Sequence, residues 1–249
     1  MPETKRSIHP LPVSRPAVLA VALGGALCAG AQTPDPALEQ GLQLLEEART
    51  TLDDKALAAA QDYFRRLTEQ HPNAAYFYER GRANFYRCEA DSSRNDKKHA
   101  ERVLDEAIAN VEQSLKLNER SADAHSLLAD LYGRKITFGS TMIRGPQYGP
   151  KLKAENKRAL ELDANDPRVY DSLGRQYLNA PSMFGGDVDK AIESFRRSAR
   201  LDPKSDETFV WLAIALRKQG DATGANQAIA EALRLNPRSA FARKTQAKK

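Results

Sequence analysis

Apolar positions recur along this chain at helical spacing, in segments of one or two dozen residues separated by short polar breaks. In "DETFVWLAIALRKQGD", Phe209, Leu212, Ala213 and Leu216 fall at i, i+3, i+4 and i+7, one face of a helix. Tyr170, Leu173, Gly174 and Tyr177 repeat that spacing, as do His125, Leu128, Ala129 and Tyr132. The frame is looser at Tyr78, Gly81, Arg82 and Phe85, and the opening helix supplies Leu44, Ala48 and Leu52. A second kind of helix follows each of these, with a small, a bulky and a small residue on its inner stripe. Examples are Ala225, Ile229 and Ala232; Ala191, Phe195 and Ser198; Ala107, Val111 and Ser114; Ala60, Phe64 and Leu67. Leu152, Asn156 and Ala159 fit least well. Small residues admit a neighbouring helix and bulky ones fill the gap between the two.

The second helices end in related sequences. Leu201-Asp202-Pro203 and Leu235-Asn236-Pro237 lie 34 residues apart, and "LELDAND", "LKLNERS" and "LTEQHPNA" mark earlier ends. This pattern resembles the tetratricopeptide repeat, a helix-turn-helix unit of 34 residues. The resemblance covers residues 37 to 237, in repeats of about 37–72, 75–119, 122–164, 167–203 and 206–237. It implies an all-α solenoid: about five antiparallel helix pairs stacked into a right-handed superhelix with a concave groove. One pair cannot bury its own apolar stripe, so stacking supplies the core.

The period is broken between first and second helices. Five extra residues, "NAPSM", enter the fourth repeat, "GRKITFGSTMIRGPQYGPK" the third and "YRCEADSSRNDKKHAERVLDE" the second, where part of the stretch lengthens the flanking helices. Equivalent turns of a solenoid share one rim. Met142, Ile143 and Tyr148 of one insertion and Met183 and Phe184 of another are therefore expected there, either lining a pocket or, the preferred reading, capping helix ends and burying their own loops. Asp187 is expected to cap the helix from residue 188 after a turn made by Gly185 and Gly186.

Residues 1–31 have the form of a secretory leader, with Lys5, Arg6 and Arg15 ahead of the apolar run "AVLAVALGGALCAGA" and a small-x-small end at Ala29-Gly30-Ala31. Cleavage before Gln32 and export to a periplasmic or secreted location are the expectation. The long polar start also fits an uncleaved anchor. Cys28 lacks a lipoprotein context, because Leu27 and Gly25 stand where a small residue and a leucine belong. Cleavage leaves Cys88 alone, with no internal disulfide. The formal charge is +5, or +3 without the leader, too little to argue for nucleic acid. Residues 238–249 read as a basic, solvated tail.

No phosphate-binding loop, paired metal-ligand spacing or serine-nucleophile motif occurs, so neither cofactor, metal nor catalytic residue is assigned. His125 reads as a packed or hydrogen-bonded core histidine and Cys88 as an inert thiol. The resemblance implies a groove lined by the first helices. Matching positions place Tyr76, Glu79, Tyr86 and Asp130 there, with Arg168, Asp171, Arg175 and Arg217 further along. The Lys and Asn pairs with which some members of the family hold a peptide's terminal carboxylate are absent. The chain also resembles exported bacterial repeat proteins and, more distantly, periplasmic repeat lipoproteins of TRAP-type transport. The expected function is non-enzymatic: binding or scaffolding another protein or peptide, with no membrane insertion after cleavage. The alternative is a solute-binding protein that serves a transporter.

Overall fold

The computed structural model describes residues 35–139 and 141–247, so the leader lies outside the described residues. Eleven α-helices are present among them. They form five antiparallel pairs and a last single helix: α1 (Pro36–Thr51) with α2 (Asp54–Gln70), α3 (Ala74–Ser93) with α4 (Lys97–Leu117), α5 (Ala122–Phe138) with α6 (Thr141–Leu162), α7 (Pro167–Asn179) with α8 (Val188–Leu201), α9 (Asp206–Gln219) with α10 (Ala222–Leu235), and α11 (Ala240–Ala247). None of these helices is long and apolar enough to cross a membrane.

The chain marks its own helix starts. Asp35, Asp53, Asn73, Asp96, Ser121, Asp166, Asp187, Ser205 and Asp221 each accept a hydrogen bond from a backbone N–H of the first turn that follows. Such a side chain satisfies a donor that the helix leaves unpaired. Within a pair, a small residue on the first helix faces a bulky one on the second. A Cβ added to Gly41 would meet the Phe64 ring at 2.5 Å, one at Gly81 the Val111 side chain at 2.5 Å, and one at Gly174 the Phe195 ring at 2.6 Å. Phe64, Val111 and Phe195 are fully buried. In the third pair that place belongs to Asn156, the residue that fits the pattern least well. It is buried and donates to Gln176 Oε1 at 2.9 Å.

The odd-numbered helices form a closed inner ring. α1 lies against α3, α3 against α5, α5 against α7, α7 against α9, α9 against α11, and α11 against α1. The even-numbered helices pack outside it. The ends are joined by polar contacts: Arg49 reaches Asp206 at 2.9 Å and Glu207 at 3.7 Å, Asn236 Nδ2 donates to Thr50 Oγ1 at 3.2 Å, and Arg238 pairs with Glu47 at 2.5 Å.

Three expectations are corrected. The third insertion is not a loop: α5 runs on to Phe138 and α6 begins at Thr141, because Arg134, Lys135 and Ile136 continue the helix without a breaker. Met142, Ile143 and Met183 are 68%, 75% and 76% exposed and Phe184 38%, so they do not bury their own loops. Residues 240–247 are a helix rather than a solvated tail; Ala242 is buried against α9 and α10, and the Phe241 ring stands 5.4 Å from Trp211. The turn before α8 follows the glycines. Gly185 has φ +94°, and Gly186 leaves no room for a side chain, since its Cβ would sit 1.8 Å from the Ala180 carbonyl oxygen.

Phe195→Ala is expected to cost about 3–5 kcal/mol, because the cavity lies at the most buried ring of its pair. Gly174→Ala is expected to cost about 1–3 kcal/mol by overpacking, although alanine favours the helix itself by about 1 kcal/mol. Urea denaturation read by circular dichroism checks both; a Gly174→Ala protein more stable than the wild type would contradict this packing.

Candidate functional site

The ring encloses a lumen of about 1240 Å³. Its walls come from the inner helices, and the register is set by the small residue that faces outward into each pair. Counting from that residue, the lumen receives positions −3, +1 and +4 or +5. Around Gly81 these are Tyr78, Arg82, Phe85 and Tyr86; around Gly174, Asp171 and Arg175; around Ala129, Ser126, Asp130 and Arg134; around Ala213, Ile214 and Arg217. Of the sequence-predicted groove positions, Tyr86, Asp130, Arg168, Asp171, Arg175 and Arg217 meet in the lumen. Tyr76 and Glu79 do not: both are buried, Tyr76 donating to Asp35 Oδ2 at 2.8 Å and Glu79 pairing with Arg82 at 2.9 Å. The frame expected for α3 is one residue off. Met142, Ile143, Tyr148, Met183 and Phe184 lie outside the lumen, and Tyr148 instead packs at a tilt beside Tyr132 with ring centroids 5.8 Å apart. Sequence reasoning missed Arg49, Arg134, Trp211, Phe241 and Lys244. Arg134 was accessible, four residues after Asp130 on one face; Arg49, Phe241 and Lys244 enter only because the ring closes.

Basic side chains stitch four of the inner-helix steps together. Arg134 of α5 pairs with Glu89 of α3 at 2.7 Å. Arg175 of α7 grips Asp130 of α5 through two bonds, at 3.0 and 2.5 Å. Lys218 of α9 donates to the Leu178 carbonyl of α7 at 2.6 Å, and Arg217 of α9 to the Thr245 carbonyl of α11, also at 2.6 Å. Arg49 of α1 reaches past α11 to Asp206 of α9 at 2.9 Å. Among the described residues no three His, Cys, Asp or Glu side chains converge as metal ligands. His125 bridges Glu155 at 2.5 Å and the Glu119 carbonyl at 3.0 Å, as a packed, hydrogen-bonded side chain. Cys88 is buried, and burial pushes its thiol up to about 12, far from a reactive thiolate at neutral pH.

A family model described as regulator of microtubule dynamics protein 1-3 matches residues 39–183, more than half of the chain. The chain belongs to that family. A tetratricopeptide repeat model matches residues 183–240, and with the helix pairing above the chain is a tetratricopeptide repeat protein. No curated protein sequence matches it. Among solved structures, the thermophilic tetratricopeptide repeat protein TTC0263 of Thermus thermophilus is similar with TM-score 0.64 at 19% identity, covering 85% of this chain and 96% of that one. The HusA haemophore of Porphyromonas gingivalis is similar with TM-score 0.57 at 18% identity, covering 84% and 96%. At such identities the likeness concerns the fold alone.

The lumen of this family member holds carboxyls displaced from their ordinary range. Burial pushes Asp171 up to about 6, although Arg175 lies nearby and Thr208 donates to Oδ2 at 2.9 Å; Oδ1 has no partner. Burial likewise raises Glu89, against the pull of Arg134 and Arg175. At the α5–α7 junction, burial and a hydrogen bond with Asp166 push Asp123 up to about 7. Asp166 moves the opposite way: burial would raise it, but the hydrogen bond from Asp123 and the charge of Arg168 prevail. One proton shared by two carboxyls accounts for both directions.

These charges have measurable consequences. Arg49→Ala leaves Asp206 buried beside Glu207 without its cation. Breaking such a pair costs roughly 3–5 kcal/mol, with the low end expected because Asp206 sits in the first turn of α9, where the helix dipole favours a negative charge. Thermal denaturation reads the loss, and small-angle scattering reads an increase in radius as the ring ends part. The Asp123 proton gives a pH dependence. Between pH 4 and 7 the folded chain holds a proton that the unfolded chain releases near its ordinary pKa of about 3.9, so this group lowers stability as pH rises through that window. Asp166, with its lowered pKa, acts only below it. Asp123→Asn, which keeps a donor toward Asp166, is expected to reduce the pH 5–7 slope of the melting temperature, leaving the part below pH 6 that Asp171 contributes, and to match or exceed the wild type at pH 8; an unchanged slope would refute the shared proton.

Proposed function

We propose that this chain is an exported, non-enzymatic binding protein that holds a segment of another protein inside its ring. The enclosed lumen carries this reading: six of the groove positions chosen from sequence converge there, lined with arginines and aromatic rings and large enough for more than a small metabolite. Ligand pockets for small molecules usually occupy about 300–1,000 Å³. Tetratricopeptide repeats suit interaction and scaffolding. The family's description concerns microtubule dynamics, a property of the regulators it names; the lumen supports the broader reading of a protein partner. The leader read at residues 1–31 supports export.

Photo-crosslinking in the native host, with a crosslinker at a lumen position such as Asn226, tests the proposal. The wild type is expected to capture a discrete protein, and Ile214→Trp, which fills the lumen while leaving the helix content intact, to lose it. The recovered chain is expected to begin at Gln32. Equal capture by both forms would remove the partner from the lumen, and a start at Met1 would overturn cleavage.

A further inference from the structure

We infer that the α9–α10–α11 side of the lumen is a subsite for an acidic side chain standing beside an aromatic one in an extended segment of the partner. This rests on the reading of the lumen as a protein-binding site. The lumen carries seven cationic side chains and four acidic ones, so it is complementary to an anion. The excess is localised. Arg49, Arg82, Arg134, Arg168 and Arg175 each have a carboxylate within salt-bridge distance. Arg217 and Lys244 have none among the described residues. Arg217 spends one N–H on the Thr245 carbonyl; a guanidinium has five, in a fork that matches a carboxylate.

The remaining wall fixes what should stand beside that acid. Trp211 and Phe241 meet at 5.4 Å and 61°, edge to face, and both are only partly buried. Trp211 is fixed from behind by Phe195, stacked at 6.4 Å, and the Arg175 guanidinium lies 5.7 Å from its ring. An aromatic side chain laid on this pair would extend an aromatic cluster already held in place, with the adjacent acid reaching Arg217 and Lys244. Asn226, also lining the lumen, offers an amide to the segment's backbone. The ring and its enclosed size suit a single extended chain and exclude a nucleic-acid duplex. The subsite lies on the last repeat and the added helix α11, and it needs no chain terminus.

The chain contains one tryptophan, Trp211, so its fluorescence reports occupancy of this subsite. The full chain is titrated with octapeptide pools blocked at both ends, with a fixed central Glu-Phe and random flanks, against matched Gln-Phe, Lys-Phe and Glu-Ala pools. Glu-Phe is expected to quench or shift Trp211 and to bind at least tenfold more tightly than the other three. Lys244→Gln and Arg217→Gln are expected to bring Glu-Phe down to the level of Gln-Phe, Lys244→Gln while melting as the wild type does and Arg217→Gln, which gives up the bond to the Thr245 carbonyl, while melting somewhat lower. Equal binding of Glu-Phe and Gln-Phe, or unchanged discrimination in both variants, overturns the acidic subsite while leaving the lumen a peptide site. No binding by any pool, with 2-naphthoate alone shifting Trp211, overturns the peptide as the source of the anion. Loss of peptide binding together with crosslinking indifferent to Ile214→Trp would instead take down the broader reading.

Discussion

The ring closes through polar contacts, one of them a buried ion pair. Arg49 stands near the end of the first helix and Asp206 at the start of the ninth, yet their side chains meet at 2.9 Å and are only 12% and 6% exposed. A repeat array has no inherent reason to end where it began, since each pair contacts only its neighbours. Apolar packing at the α1–α11 seam is slight, so polar contacts must set the register there. A buried ion pair adds little net stability compared with apolar side chains of similar shape, but it cannot tolerate displacement of either partner. Arg49 is thus better understood as fixing where the ring closes than as a large source of folding energy. The lumen, and every side chain that enters it from both ends of the sequence, depends on that seam.

The same logic recurs around the ring. Arg134 to Glu89, Arg175 to Asp130 and Lys218 to the Leu178 carbonyl each span one inner-helix step. On the outer side, packing is apolar and volume-driven, with Phe64, Val111, Phe195 and Ile229 as the bulky members. The two layers divide the work. Outer packing holds each pair together, while inner basic side chains fix the angle between pairs and leave a polar wall. Burial of that wall raises Asp171 and Glu89 against the pull of the neighbouring arginines.

Much of this was legible in the sequence, for reasons that can be traced to particular residues. The helix pairs follow from a period that repeats, and each cap is a short polar side chain at the expected place. The groove residues of α5, α7 and α9 were found because Ala129, Gly174 and Ala213 anchor a regular frame. In α3 the aromatic run Tyr76, Phe77 and Tyr78 offers two competing frames, and only the contact of Gly81 with Val111 decides between them. That single-residue shift puts Tyr78 in the lumen in place of Glu79 and brings Phe85 in beside Tyr86. The third insertion misled for a different reason: its glycines and prolines read as a loop, but Pro146 and Pro150 lie inside α6. Closure itself was out of reach, because Arg49 and Asp206 are far apart in sequence and no local pattern couples them.

What separates wall from site in such a lumen is the accounting of charge. A paired arginine is already committed: exchanging its carboxylate for a ligand returns little, since one ion pair replaces another and the protein's own acid is left buried and alone. An unpaired cation that still sees water has no such penalty to overcome. By this criterion the five paired arginines are structural, although they face the lumen and would be chosen first by inspection of charge. The recognition chemistry then belongs to Arg217 and Lys244, on the last repeat and on the short helix that the periodicity did not reveal.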